Sequence, residues 1–532
     1  MAALLHQLMI LSILLPLAVG ALLLFFDERH YRLKSAISLA SAGFLVMIAV
    51  IQIMHAQHIA PQADVYHLGS WPAPFGIVLV LDKLAAIMLL LSAVLGVCAL
   101  IFSLAYWQKV GAYFHSLMQF LLVGINGAFL TGDLFNLFVF FEVMLTASYA
   151  LVLHGSGVRR VRAGMHYVVV NLMASSCFLI GAALIYGIVG TLNMADLAVK
   201  VGEIAENEQQ LFMVAAAILA IAFFIKVAMW PFGFWLPAAY SAAAAPVAAI
   251  AVILSEVGVY VILRLSLLMF GDMAGVFANF GNAFLFYSGL LTMVFGLIGV
   301  LASQNAGGMA SYSVIVSSGT LLAAIGTANA AITDALVYYM LSSTLALAAL
   351  FLLVELMGRI QDNAGNVLAV TMEVYGEDEE DAEEDIGLYI PSTLAVLGAC
   401  FMVCALLLVG IPPLSGFLGK FMLISGIMDP EGFGRYEDVP SFRDWLYITM
   451  LVISSFVPLI AMIRAGLRIF WAPVDSHVPR VQIIEIAPVV VLLGLCLVLT
   501  VLVSPMMRYL DSMALSLHEP AHYINSVLGG GR

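Results

Sequence analysis

The chain has 532 residues, 63% of them hydrophobic and only 10% charged, and its mean hydropathy is +1.08. A soluble domain carries about a quarter charged residues, so composition excludes a water-solvated fold and makes lipid the solvent. The net charge of −13 is a local event: eight acidic residues crowd positions 377–385 (EDEEDAEED), and without them the balance is −5. Such a run reads as a solvated loop, with a cation-collecting antechamber as the sharper alternative.

Only helices and closed barrels satisfy their backbone in lipid, and the ten-residue alternation of a barrel is missing here. The expectation is an all-α polytopic membrane protein with about fourteen spans of ~20 residues. In chain order the apolar windows are 5–26, 34–54, 79–105, 115–132, 134–154, 163–190, 210–241, 243–268, 281–303, 309–327, 329–358, 388–429, 444–469 and 483–508. The first has no basic residue before it and is followed by Arg29, Arg32 and Lys34. It therefore reads as a retained span rather than a signal peptide. Windows 210–241 and 388–429 are too long for one crossing and hold Pro231 with Pro237 and Pro412 with Pro413. Proline removes a donor and clashes with the preceding turn, so both are expected to be interrupted helices.

Of the 20 Lys and Arg, eleven lie in connections from odd to even spans, Arg29, Lys109, Arg160 and Arg359 among them, against five on the other side. Positive charge marks the cytoplasm, which puts both termini outside and the acidic stretch 359–387 inside. That stretch lacks the periodicity of a packed element. Segment 55–78 has no Lys or Arg and reads as an external loop, with His55, His58 and His67 scattered along it. Cys98, Cys177, Cys400, Cys404 and Cys496 all lie in apolar runs and read as packing residues. Nucleotide fingerprints, zinc spacings and a nucleophile elbow are lacking, so no cofactor, metal or nucleic acid is expected.

Four ionisable residues stand out inside apolar windows: Glu142 (LFVFFEVML), Lys226 (AFFIKVAMWP), Glu256 (VILSEVGVY) and Lys420 (PPLSGFLGKFML). Each costs ~2.5–3.5 kcal/mol at mid-membrane depth, so each needs a reason. Glu142 and Lys226 are expected to form a switchable carboxylate–ammonium pair, in which separation favours proton release and closure favours uptake. Pro231 frees the carbonyl of Val227 beside Lys226, and Pro412 and Pro413 act in the same way before Lys420. One broken helix with a buried lysine per half points to two related repeats. Glu256 is expected to extend the relay toward the second half, since Arg264 is two turns away. Asp82, Lys83 and Asp133 read as interfacial residues.

The segments WPAPFGIVLVLDKL (71–84), LFNLFVFFEVMLTASYALVLHG (134–155), YGIVGTLNMADLA (186–198), GIPPLSGFLGKF (410–421) and HEPAHYI (518–524) together resemble the D-type subunit of Mrp-type multisubunit Na+/H+ antiporters, also called the Mnh or Pha type. LAVTMEVYGEDEE (368–380) is similar to the acidic loop of the longer bacterial versions. That family is homologous to the proton-pumping membrane subunits of NADH–quinone oxidoreductase. The resemblance implies fourteen helices and two inverted five-helix repeats, 115–268 and 281–469, preceded by helices in 1–114 and followed by a final helix and tail in 470–532. It implies that Glu142 and Lys226 serve the first half-channel and Lys420 the second. It also implies partners, the A, B, C, E, F and G types of subunit, within a bacterial cytoplasmic membrane, with protons and Na+ or K+ as the transported ions. The family often has lysine where Glu256 stands and histidine where Ser342 stands, which turns the expected relay toward carboxylate and water.

The leading expectation is therefore a secondary transporter subunit and not an enzyme. A membrane subunit of a redox-driven pump would use the same proton path beside a soluble arm with flavin and iron–sulfur centres. In a third reading the buried charges only fix assembly.

Overall fold

The computed structural model describes residues 2–375, 392–428, 441–470 and 481–529. The acidic run at 377–385 lies outside the described residues. Long apolar helices fill the bilayer because each closes its own hydrogen bonds. They are α1 (Ala2–Leu24), α2 (Tyr31–Ile59), α3 (Lys83–Ser103), α4 (Phe114–Leu130), α5 (Leu134–Val152) and α6 (Val158–Val189). After the short α7 (Met194–Lys200) come α8 (Glu206–Lys226), α9 (Trp235–Ala242), α10 (Ala245–Met269), α11 (Asn282–Ala302), α12 (Ala306–Gly326) and α13 (Thr333–Tyr375). The chain ends with α14 (Ser392–Val409), α15 (Ser415–Met428), α16 (Phe442–Phe470), α17 (Ile483–Val501), α18 (Val503–His518) and α19 (Pro520–Gly529).

Among the described residues, 12 helices are long and apolar enough to cross a membrane, and α4, α14 and α15 are shorter apolar helices. Counting α8 with α9 and α14 with α15 as broken crossings gives the expected layout. Both windows with paired prolines are interrupted as expected. Pro237 sits in the first turn of α9, where its missing N–H costs nothing.

Four expectations are corrected. Segment 55–78 is not all loop: it leads into an antiparallel hairpin, β1 (Asp64–His67) on β2 (Val78–Leu81), with Asp64 opposite Leu81, so the window at 79–105 begins as a strand. The stretch after residue 358 is not irregular at its start, because α13 continues to Tyr375. Span 483–508 ends at Val501, and two further helices, α18 and α19, follow the turn at Leu502. Asp82 is more than interfacial, as described below.

The two ends of the bundle differ. On one face, called here the terminal face, α1, β1, α18 and α19 meet. His6 Nδ1 and His55 Nε2 lie 3.1 and 3.0 Å from the Asp64 carboxylate, and Ser526 accepts from the Ala63 N–H. Opposite lies an arginine-rich face. There Arg359 pairs with Glu355 at 2.6 Å and Glu485 at 2.5 Å, and Arg160 stacks over Trp107.

Asp82 caps α3 by accepting from the Ala85 N–H, and it also receives both Arg264 contacts, at 2.9 and 2.8 Å. Arg264 thus binds α10 to α3 and has no role beside Glu256. Removing one partner of a buried pair leaves an uncompensated charge, at ~3–5 kcal/mol. Arg264→Ala is therefore expected to cut the yield of folded protein. Thermal unfolding of the purified protein checks this; an unchanged yield and midpoint would show that the pair does not hold α10 to α3.

At the centre, α10 is buried at every position but Ser266 and Leu267 and packs on α12 and α13. It is apolar on every side, as a helix enclosed by other helices must be. One acid interrupts it, Glu256.

Candidate functional site: a buried row of ionisable and hydroxyl groups

α8 stops at Lys226 because the chain cannot continue helically into Pro231. Ala228 turns to φ 55°, and the Trp235 indole N–H takes the Ile225 carbonyl at 3.1 Å. The break presses against α10 at Gly258, where a Cβ would lie 2.5 Å from Val227 Cγ1. Lys226 is thereby held 5% exposed at the helix end. Its Nζ has no hydrogen-bond partner among the described residues and lies 4.7 Å from the centre of the Phe141 ring.

Glu142 is on α5 next to Phe141, half-buried, and accepts from the Ser175 hydroxyl of α6. The expected direct contact is not formed. The Phe141 ring, and no carboxylate oxygen among the described residues, lies against the ammonium. A one-residue step on a helix turns the side chain by ~100°, which is why the carboxylate faces α6 and the ring faces α8.

Glu256 is 0% exposed, and neither carboxyl oxygen has a hydrogen-bond partner among the described residues. Tyr240 of α9 donates its hydroxyl to the Ala251 carbonyl of α10 at 2.8 Å, five residues before Glu256. Beyond it the row continues in hydroxyls. Ser317 donates to Ser343 at 3.0 Å, and Ser342 bonds Ser415 at 2.8 Å across α13 and α15.

Lys420 on α15 is 6% exposed and fully partnered. Its Nζ donates to the Val409 carbonyl at 3.2 Å, the Ser454 carbonyl at 3.2 Å and the Ser455 hydroxyl at 2.9 Å. Both carbonyls are free for the same reason. The helical partner of Val409 would be the N–H of residue 413, which is Pro413, and that of Ser454 would be residue 458, which is Pro458 in α16. Gly410, at φ 78°, lets Lys420 pass, since a Cβ there would lie 3.0 Å from Lys420 Cδ. Sequence reasoning named Pro412 and Pro413 but missed Pro458 and the Ser454–Ser455 pair. The signal was a lone proline inside the apolar window 444–469.

Pro458→Ala returns an N–H that competes with Lys420 for the Ser454 carbonyl. The variant is expected to fold at least as well and to transport more slowly, which cation-induced ΔpH measurements on vesicles will show.

The structure is thus a polytopic helical membrane protein whose two broken helices each present a buried lysine, with a buried acid and a line of hydroxyls between them. Residues 131–433 match the family model described as "NADH:quinone oxidoreductase/Mrp antiporter, TM". The chain is 52% identical over 532 residues to the D-type subunit of a probable K(+)/H(+) antiporter of Rhizobium meliloti (strain 1021), covering 99% of this chain and 98% of that one. It is 34% identical to the D-type subunit of the Na(+)/H(+) antiporter of Alkalihalophilus pseudofirmus, covering 98% and 99%. A solved chain of the Mrp complex from Dietzia sp. DQ12-45-1b superposes with a TM-score of 0.80 at 25% identity, covering 99% of this chain and 100% of that one. The chain belongs to the NADH:quinone oxidoreductase/Mrp antiporter family of membrane subunits, on the side of the D-type antiporter subunits.

Proposed function

We propose that this chain is the proton-translocating D-type subunit of a multisubunit antiporter that exchanges protons for Na+ or K+ across a bacterial cytoplasmic membrane. Glu142, Lys226, Glu256 and Lys420 carry the proton, with the breaks at Pro231 and at Pro412 and Pro413 supplying free carbonyls and irregular backbone beside the lysines. The proposed repeats are 115–268 and 281–469. In each, the third long helix, α6 or α13, packs on both halves of the broken one. The arginine-rich face is cytoplasmic by the distribution of positive charge, which puts the termini outside. The partners are the other subunits of the complex.

The observation that carries this reading is the position of Glu256. A cavity of about 730 Å³ opens on the arginine-rich face beside Glu355 and Arg359 and reaches Tyr240, Ala248 and Phe351. A second, of about 260 Å³, opens on the terminal face and reaches Leu263 and Leu336. Ala248 and Leu263 lie on α10 on either side of Glu256, about 12 and 10 Å from it along the axis. An acid with no hydrogen-bond partner among the described residues, approached from both faces along the same helix pair, can take a proton from one side and give it to the other. Lys226 and Lys420 stand at the broken helices before and after it in the chain. A packing role does not need an unpartnered acid in the most buried helix.

Everted vesicles from an antiporter-deficient host carrying the whole complex test this. Na+ or K+ is expected to collapse a preformed ΔpH, and Glu142→Gln is expected to abolish the response with the complex intact. A full response in Glu142→Gln would remove that residue from the path, and no response in the wild type would remove the function.

A further inference from the structure

Between α8, α10 and α11, in the half of the membrane nearer the terminal face, lies a cavity of about 470 Å³ that opens sideways to lipid. Its floor is the Phe224–Phe284 ring contact, with centroids 5.4 Å apart, and Phe232 of the α8 break. Its roof is the Phe270–Phe280 contact at 5.6 Å. The wall on α8 is kept back by Ala216, Ala217 and Ala220. The one polar side chain in the lining is Ser266, whose hydroxyl donates to the Leu263 carbonyl at 2.9 Å.

Three physical points identify what fills this space. Water needs two to four polar partners in a cavity, and the lining side chains offer it the Ser266 oxygen alone. An unfilled space of this volume forfeits the dispersion contacts of every atom lining it. The helices around it present Leu211, Val214, Phe284 and Leu291 outward, all exposed, so hydrocarbon is the medium at its mouth. The chemistry that fits is an unbranched saturated or monounsaturated chain.

We propose that this groove is a binding site for one acyl chain of a membrane phospholipid from the leaflet on the terminal face. The chain lies against Phe224, just before the end of α8 at Lys226, and Phe232, within the break that follows. It acts as a removable part of the wall that holds the broken helix in place.

The test uses the whole complex in bilayer discs of phosphatidylethanolamine and phosphatidylglycerol, doped with a phospholipid carrying a diazirine midway along one chain. After photolysis, labelled peptides are mapped by mass spectrometry. Labels are expected to concentrate on residues 216–224 and 281–285 over the exposed α16 surface around Val452 and Phe456. Ala220→Phe fills the groove and should reduce those labels several-fold while leaving α16 unchanged; Ala217→Ile serves the same purpose if Ala220→Phe does not assemble. Equal labelling of groove and α16, or labelling unaffected by either variant, overturns the proposal. So does a cross-link from the 281–285 segment to a neighbouring subunit seated in the groove. The readout is lipid contact, so its failure leaves the transport reading standing.

Discussion

Lys226→Ala is expected to lower cation-induced ΔpH collapse by ~10²-fold, the low end for loss of a positioned proton-transfer group, without lowering the thermal midpoint of the complex. The stability half of the expectation follows from the geometry. Lys226 Nζ donates to no protein acceptor among the described residues, so its removal orphans no carbonyl. Only the contact with the Phe141 ring is lost, and burial of the ammonium had opposed folding in any case. Lys420→Ala is the contrasting variant. It strips the donor from Val409, Ser454 and Ser455 at once. Orphaned buried acceptors cost about 1–3 kcal/mol, so this variant should lose both transport and thermal stability. Equal destabilisation by the two substitutions would mean that Lys226 is a packing residue whose partners are formed in another state of the protein.

Glu256→Leu should make the protein more stable and nearly inactive. A fully buried carboxyl that has no partner among the described residues carries an uncompensated desolvation cost of about 1–3 kcal/mol. Leucine has a similar volume and no polar atom, and suits a helix buried on every side. Thermal unfolding of the purified complex should therefore shift upward, while vesicles lose the response to Na+ or K+. Glu256→Gln should lose transport without the gain in stability, because the amide is still unpartnered. A Leu variant that transports at the wild-type rate would take Glu256 off the proton path and leave the two cavities unconnected. A Leu variant that fails to assemble would show that the acid has a structural partner.

Membrane class, the crossings and both helix breaks were legible because each depends on a few adjacent residues. Runs such as 281–303 need no tertiary context to exclude water, and Pro231, Pro412 and Pro413 end helices wherever they occur. The four ionisable groups were legible for the same reason, each standing in an apolar run. The contacts among them were not. The pairing of Glu142 with Lys226 seemed natural from depth, yet the rotation of α5 aims Phe141 at the ammonium and Glu142 at Ser175. The pairing of Arg264 with Asp82 joins positions 182 residues apart and depended on where β2 delivers the start of α3.

Hydropathy and proline chemistry act within a turn or two of the chain, so the linear order of residues was enough to set the solvent, the crossings and the places where backbone is left open. Which open carbonyl meets which ammonium is settled by helix rotation and crossing, and these are fixed only when all the helices pack. Lys420 illustrates both: Pro413 and Pro458 free Val409 and Ser454 independently, 45 residues apart, and only the packing of α14, α15 and α16 brings the two carbonyls to one nitrogen.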